Sequence, residues 1–154
     1  MTGIVIIAHS PLASALEHCV EHVYTCEPGL AKANLRVLDV EPGADVEALF
    51  SRATSLVAEV DSGAGVLVLT DAFGATPGNL AARLSVPGRV SVVAGVNLPM
   101  LLRAVCYRGS SLGELAEKAL SGGQQGMVQV AGTPVQNQGY NPQGNDYQRL
   151  HHQQ

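Results

Sequence analysis

Two ionisable residues, His9 and Asp71, each stand where a short apolar run gives way to a polar loop. His9 follows the run 3–8, and Asp71 lies just beyond the run 65–69. A neutral imidazole is a good nucleophile when a carboxylate accepts a hydrogen bond from one ring nitrogen, because this fixes the tautomer and stabilises the developing imidazolium. We therefore interpret His9 as a candidate phosphoryl acceptor and Asp71 as the carboxylate that orients it.

A proline follows each of these residues within a few positions and predicts a sharp helix start. Ser10 is a suitable N-cap with Pro11 as the first helical residue, and Thr76-Pro77 repeats the arrangement. The amides and the positive dipole end of a helix N-terminus attract a phosphoryl group. We expect the hydroxyls of Ser10 and Thr76 to donate hydrogen bonds to the phosphoryl oxygens.

The loop after Asp71 supplies the rest of the predicted phosphoryl-binding site. Gly74 and Ala75 allow backbone amides to approach phosphoryl oxygens closely, and Phe73 belongs to the same loop. Asn97 follows a further apolar run and is predicted to lie on the same rim. One histidine or aspartate at a strand end is usually a hydrogen-bonded loop or cap residue, so the prediction depends on the repeated pattern.

Apolar runs alternate with amphipathic stretches along the chain, which predicts an α/β fold with a doubly wound, mainly parallel sheet. The predicted strands are 3–8, 34–40, 65–70 and 90–95, with a short C-terminal strand at 127–130, and the predicted helices are 11–24, 45–59, 77–84, 98–108 and 110–120. Ligands of such sheets bind outside the carboxyl ends of the strands. His9, Asp71 and Asn97 all follow strands and are therefore expected to share one rim.

The composition restricts the class of protein. The chain has 154 residues and a formal net charge of −4 without a basic cluster, which argues for one domain and against nucleic-acid binding. Its apolar runs are too short to cross a bilayer, and the N-terminus lacks the features of a signal peptide, so we expect a cytoplasmic protein. Residues 132–154 are polar and predicted to be disordered, which leaves 1–131 as the folded domain.

No cofactor and no metal site are expected. His18, His22 and Cys26 fall at helical spacing, but a ligand from a second element is missing. Cys19 and Cys106 bring the cysteines to an odd number, which is typical of reduced thiols rather than of a disulfide framework.

Three segments, 4–10, 69–79 and 94–101, are together similar to the enzyme IIA component of the mannose class of the sugar phosphotransferase system. The resemblance extends from residue 1 to about residue 130. It implies that His9 receives a phosphoryl group from the phosphocarrier protein HPr and passes it to a IIB component, while Asp71 orients the ring. It also implies a homodimer in which a C-terminal strand, matched here by 127–130, exchanges between subunits.

Two small departures from that family pattern concern the candidate site. Ser10 stands where glycine is common, and Gly74-Ala75-Thr76 stands where Gly-Gly-Ser is common. A polar tail follows the similar region in place of a IIB domain, so we expect an acceptor in trans. The alternative is a regulatory sensor with the same His9 chemistry and no transport role.

A receiver-like protein phosphorylated on Asp71 is disfavoured, because a receiver needs an acidic pair for Mg²⁺ where this chain has His9-Ser10.

Overall fold

The computed structural model of the chain describes residues 1–25 and 27–132. Its elements are β1 (Gly3–His9), α1 (Leu12–Val23), α2 (Pro28–Lys32), β2 (Leu35–Val40), α3 (Val46–Val60), β3 (Val66–Thr70), α4 (Thr76–Arg83), β4 (Val90–Ala94), α5 (Leu98–Tyr107) and α6 (Leu112–Gln125). The four strands form one all-parallel sheet in the order β2-β1-β3-β4. The predicted α/β fold class is confirmed.

The order of the strands places a topological switch beside β1. The chain leaves β1 for β2 on one side and later returns to β3 on the other, so the two connections diverge at the carboxyl ends of β1 and β3. His9 lies opposite Val40 in the ladder with β2, and Ile7 lies opposite Thr70 in the ladder with β3. The crevice of a doubly wound sheet is expected at this point, and both His9 and Asp71 lie there.

β1 is buried on both faces, which is why its sequence is an unbroken apolar run instead of an alternating one. Ile4 and Ile6 pack into one core cluster, built with α1, α5 and α6. Val5 and Ile7 pack into a second cluster, built with α3 and α4 on the opposite face. The last residue of this rigid central strand is His9, so its backbone is well fixed.

The two predicted N-caps are wrong by one residue. Pro11 is the N-cap of α1, and the hydroxyl of Ser10 donates to Glu41 on the neighbouring connection instead of capping the helix. Asp39 of β2 accepts a hydrogen bond from the backbone amide of Ser14 (3.2 Å), so a residue of another element provides the acceptor for the first turn of α1. Ala75 is the N-cap of α4, whose first residue is Thr76.

α6 ends five residues later than the sequence predicts, at Gln125. The pair Gly122-Gly123 is typical of a helix end, since glycine is a poor helix former. Here both glycines allow α6 to approach α5: a Cβ on Gly122 would lie 2.7 Å from Cβ of Arg103, and one on Gly123 would lie 2.7 Å from Cε of Met100. Tertiary packing therefore extends the helix.

The C-terminal strand predicted at 127–130 has no ladder partner within the part of the chain that the structure describes. Met127, Val128 and Val130 are 70%, 72% and 83% exposed. Strand exchange with a second copy stays a prediction, as does the disorder expected for the tail, since residues 133–154 and Cys26 lie outside the described residues. Among the helices described, none combines the length and apolar character needed to cross a membrane.

Candidate functional site

The side chain of Asp71 holds His9 through both its ring and its backbone. Asp71 Oδ2 lies 2.7 Å from His9 Nδ1 and accepts a hydrogen bond from the His9 amide at 2.9 Å. The other carboxylate oxygen accepts from the amide of Ala72 at 2.8 Å. The end of β3 thus fixes the position of the last residue of β1 and the plane of its ring.

The environment of Asp71 keeps its carboxyl group ionised. Partial burial raises the pKa, but the hydrogen bonds from the His9 amide, the His9 ring and the Ala72 amide together hold the pKa of Asp71 below its ordinary value. An ionised carboxylate can only accept a hydrogen bond, so Nδ1 of His9 must carry the proton. In the neutral ring this leaves a lone pair on Nε2.

The side chain of His9 is exposed and adjoins a cavity. The His9 side chain is 54% exposed, whereas that of Asp71 is only 13% exposed. A cavity of about 370 Å³ adjoins the ring on the side of β2. Its lining residues are His9, Val40, Glu41, Pro42, Gly43, Ala44, Val46 and Thr76. The ring of His9 therefore adjoins a space of the size that a small anion needs.

The N-terminus of α4 borders the same cavity through Thr76. Among the residues that the structure describes, no side chain caps this helix, so its first-turn amides have no side-chain acceptor there. Pro77 is the second helical residue and has no N–H to satisfy. The free amides, the helix dipole and the exposed Thr76 hydroxyl together make this end of the cavity suitable for an anion.

The loop between Asp71 and Thr76 takes a sharp turn beside the cavity without lining it. Gly74 has a φ of +84°, a conformation that glycine adopts without strain. Phe73 is 94% exposed and lines a different cavity, together with Thr70 and Gly78, and neither it nor Ala75 lines the cavity beside His9. In this structure only Thr76 of the predicted loop residues borders that cavity.

Gly78, a residue of α4, packs directly against the backbone of the loop that follows Asp71. A Cβ at this position would lie 2.3 Å from the carbonyl oxygen of Ala72, so no other residue fits without a backbone shift. The close approach brings the start of α4 next to Asp71.

The side chains of Ser10 and Asn97 form hydrogen bonds within the protein. The Ser10 hydroxyl donates its single proton to Glu41 Oε1 at 2.6 Å, so it is not free to donate to a phosphoryl group in this arrangement. Asn97 caps α5 by accepting from the Met100 amide at 2.9 Å, and its Nδ2 donates to the carbonyl of Gly123 at 3.0 Å. Asn97 thus joins α5 to α6, and the structure shows no contact between it and His9.

Glu41 is a residue of this cavity that the sequence reasoning missed. It directly follows β2, and the carboxyl ends of β2 and β1 are adjacent in the parallel sheet. The order of the strands was needed to find it, because the sequence alone does not say which strand neighbours β1.

This chain is similar to known proteins in both sequence and fold. A family model described as "EIIA-man: PTS system fructose IIA component" matches residues 3–120. The "PTS system mannose-specific EIIAB component" of Escherichia coli K12 and that of Shigella flexneri are each 34% identical to this chain over 106 residues, which are 67% of this chain and 33% of theirs. The chain thus matches about a third of the length of these curated relatives.

Solved structures show the same fold. The phosphotransferase system component EIIA from Streptococcus agalactiae has a TM-score of 0.72 at 23% identity, with 84% of this chain and 97% of that chain covered. The PTS IIA protein associated with the fucose utilization operon of Streptococcus pneumoniae has a TM-score of 0.70 at 26% identity, with 83% and 92% covered. The chain therefore belongs to the EIIA-man family, the IIA components of the mannose class of the sugar phosphotransferase system.

Proposed function

We propose that this protein accepts a phosphoryl group from phospho-HPr on Nε2 of His9 and passes it to a IIB component in sugar uptake. The observation that supports this most strongly is the contact of Asp71 with Nδ1 of His9 at 2.7 Å. It leaves Nε2 as the accessible nucleophile of a ring whose charge a carboxylate can balance. The family to which the chain belongs gives the donor and acceptor proteins.

The transfer needs no proton from outside the two proteins. The lone pair of Nε2 attacks phosphorus, an N–P bond forms at His9, and the N–P bond of the donor's phosphohistidine breaks. The donor's phosphohistidine carries a proton on its other ring nitrogen, so the electron pair of the broken bond stays on an imidazole that leaves as a neutral ring. His9 then carries the phosphoryl group on Nε2 and a proton on Nδ1, so its positive ring lies next to Asp71.

The phosphoryl oxygens are stabilised from the α4 side of the cavity. The uncapped first turn of α4 offers backbone N–H groups, and the Thr76 hydroxyl offers one more donor. These donors are held in place before the reaction, so they need little reorganisation when charge moves onto the bound phosphoryl group.

Labelling with phosphoenolpyruvate tests this proposal. Purified protein is incubated with enzyme I, HPr and labelled phosphoenolpyruvate, and the acid and alkali stability of the label is measured. We expect an acid-labile, alkali-stable label that His9→Ala abolishes. His18→Ala is the matched control, since His18 is an exposed histidine on α1 and should keep the label. Label retained in His9→Ala would refute the assignment.

We also propose that residues 127–130 pair with a second copy of the chain. β4 is an edge strand of the described sheet, and the apolar side chains of Met127, Val128 and Val130 are exposed in the single chain. Pairing of β4 with residues 127–130 of a second copy would cover both the open strand edge and the exposed apolar side chains. A chain ending at Gly126 should then be monomeric by light scattering, while a chain ending at Gly132 should be dimeric; equal masses per particle would contradict the exchange.

A further inference from the structure

Glu41 stands beside the phosphoryl-accepting histidine on the neighbouring strand connection. It follows Val40, the residue opposite His9 in the β1–β2 ladder, and it lines the same cavity of about 370 Å³. Apart from His9, it is the ionisable residue in the lining of that cavity among the residues described. A carboxylate is an unexpected neighbour for a phosphoryl group, since both are anionic.

The carboxylate of Glu41 is held in place by Ser10. The Ser10 hydroxyl donates to Glu41 Oε1 at 2.6 Å, and the Ser10 amide donates to the carbonyl of Val40 at 3.1 Å. The residue after His9 is therefore joined to the connection after β2 by both its backbone and its side chain. Glu41 Oε2 makes no hydrogen bond within the described part of the chain, and the residue is exposed.

Within the described residues, no lysine or arginine lines this cavity. The nearest basic residue along α4, Arg83, makes a two-point contact with Glu47 at 2.9 and 3.2 Å. The described residues thus offer helix amides and a hydroxyl to the phosphoryl group but no cationic side chain. A phosphorylated His9 would place the doubly charged group near Glu41 without a counter-charge between them.

We propose that Glu41, held by Ser10, recognises a lysine or arginine side chain of the protein that delivers the phosphoryl group. The cation lies between the Glu41 carboxylate and the phosphoryl oxygens during transfer, so it offsets the repulsion and orients the donor. Charges at the edge of an interface mainly affect the association rate of the two partners and the salt dependence of that rate. This inference rests on the proposed function, because it concerns the donor of the same reaction.

Glu41→Gln tests the role of the charge with little change in shape. With phospho-HPr as the donor, we expect KM to rise about two- to fivefold, in the range of an exposed ion pair, with kcat unchanged. The difference from wild type should shrink as ionic strength increases. Glu117→Gln removes the same charge from an exposed position on α6 and should leave KM at the wild-type value. Glu41→Asp should recover part of the loss.

Ser10→Ala tests whether Ser10 acts through Glu41. We expect KM for phospho-HPr to rise as in Glu41→Gln but by less, since the carboxylate loses its position and keeps its charge. The double variant should have the KM of Glu41→Gln alone, because the position that Ser10 fixes no longer affects KM once the charge at residue 41 is removed. Additive effects of the two substitutions would contradict this coupling.

A small donor separates recognition from chemistry. Phosphoramidate is an anion with no cationic side chain, so Glu41→Gln should accept its phosphoryl group faster than wild type. The inference is overturned if Glu41→Gln accepts the phosphoryl group more slowly from both donors, or faster from both. It is also overturned if the rate with phospho-HPr is unchanged. In each case His9→Ala must still lose the label, which shows that the proposed function holds. If neither donor labels the wild-type protein, the proposed function is wrong, and the inference about Glu41 is then wrong as well.

Discussion

Replacing Asp71 with asparagine should slow phosphoryl transfer because no orientation of the amide satisfies all its neighbours. If the amide oxygen takes the place of Oδ2, it keeps the His9 ring and amide as donors, but the NH₂ group then faces the N–H of Ala72. In the flipped orientation, the NH₂ group faces the His9 amide and donates to Nδ1, which moves the ring proton to Nε2. The second arrangement removes the nucleophile.

The size of the effect follows from the hydrogen bonds that are lost. A hydrogen bond from the imidazolium to an ionised acceptor stabilises the imidazolium by about 1.5–3 kcal/mol. A neutral amide acceptor retains only part of that stabilisation. The His9 side chain is 54% exposed, which favours the lower end of that range. At 1.36 kcal/mol per tenfold change, we expect transfer to slow about 10-fold and by no more than about 100-fold.

Rapid-quench measurement of label transfer from phospho-HPr to the protein gives this rate directly. Asp71→Asn should stay folded, since Asp71 lies at the rim and outside both core clusters, and circular dichroism checks this. Asp61→Asn, which alters an aspartate in a different loop that pairs with Arg89, is the control and should transfer at the wild-type rate. An unchanged rate in folded Asp71→Asn would remove Asp71 from the mechanism.

Three further predictions concern the same end of the sheet. Thr76→Val should slow labelling of His9 about 10-fold, the loss of one hydrogen bond to a charged group, whereas Thr76→Ser should not; equal rates would exclude the hydroxyl. Gly78→Ala should lower the free energy of unfolding in urea by about 1–3 kcal/mol, because its Cβ would lie 2.3 Å from the Ala72 carbonyl oxygen. Gly113→Ala, at a helical position with open space around it, should instead raise that free energy by up to about 1 kcal/mol. The folded pKa of Asp71 is lowered, so the stability it contributes is present above the unfolded pKa and lost as the pH falls through the folded pKa. The unfolding free energies of wild type and Asp71→Asn should therefore differ at neutral pH and converge below about pH 4; a constant difference would contradict the shift.

The architecture was predictable because the buried strands have a distinct composition. The run Gly3–Ala8 is apolar at every position, and the structure buries it completely. The same logic places His9 and Asp71 on one rim, because both follow strands of a parallel sheet. Their contact at 2.7 Å depends in addition on β1 and β3 being neighbours, which the structure shows.

The partners of single side chains were not predictable from the pattern. Asn97 has the expected place after β4, but its side chain caps α5 and binds the Gly123 carbonyl. Ser10 has the expected place before α1, but Glu41 takes its proton. The cap of Asn97 on α5 is local, but the bonds to Gly123 and Glu41 join residues far apart in the chain. Those two bonds depend on which elements are neighbours and on how closely they pack. The extension of α6 through Gly122-Gly123 has the same origin.

The two proline-started helices, which look equivalent in the sequence, differ in what they offer an anion. The first turn of α1 already has a carboxylate: Asp39 accepts from the Ser14 amide at 3.2 Å and from its hydroxyl. The first turn of α4 has no side-chain cap from any residue that the structure describes, and Thr76 borders the cavity beside His9. A phosphoryl group on Nε2 would therefore compete with Asp39 at α1 but meet free donors at α4. If His9 is phosphorylated as we propose, this difference would direct the bound group toward Thr76, so substitutions at the start of α4 should affect transfer more than those at the start of α1.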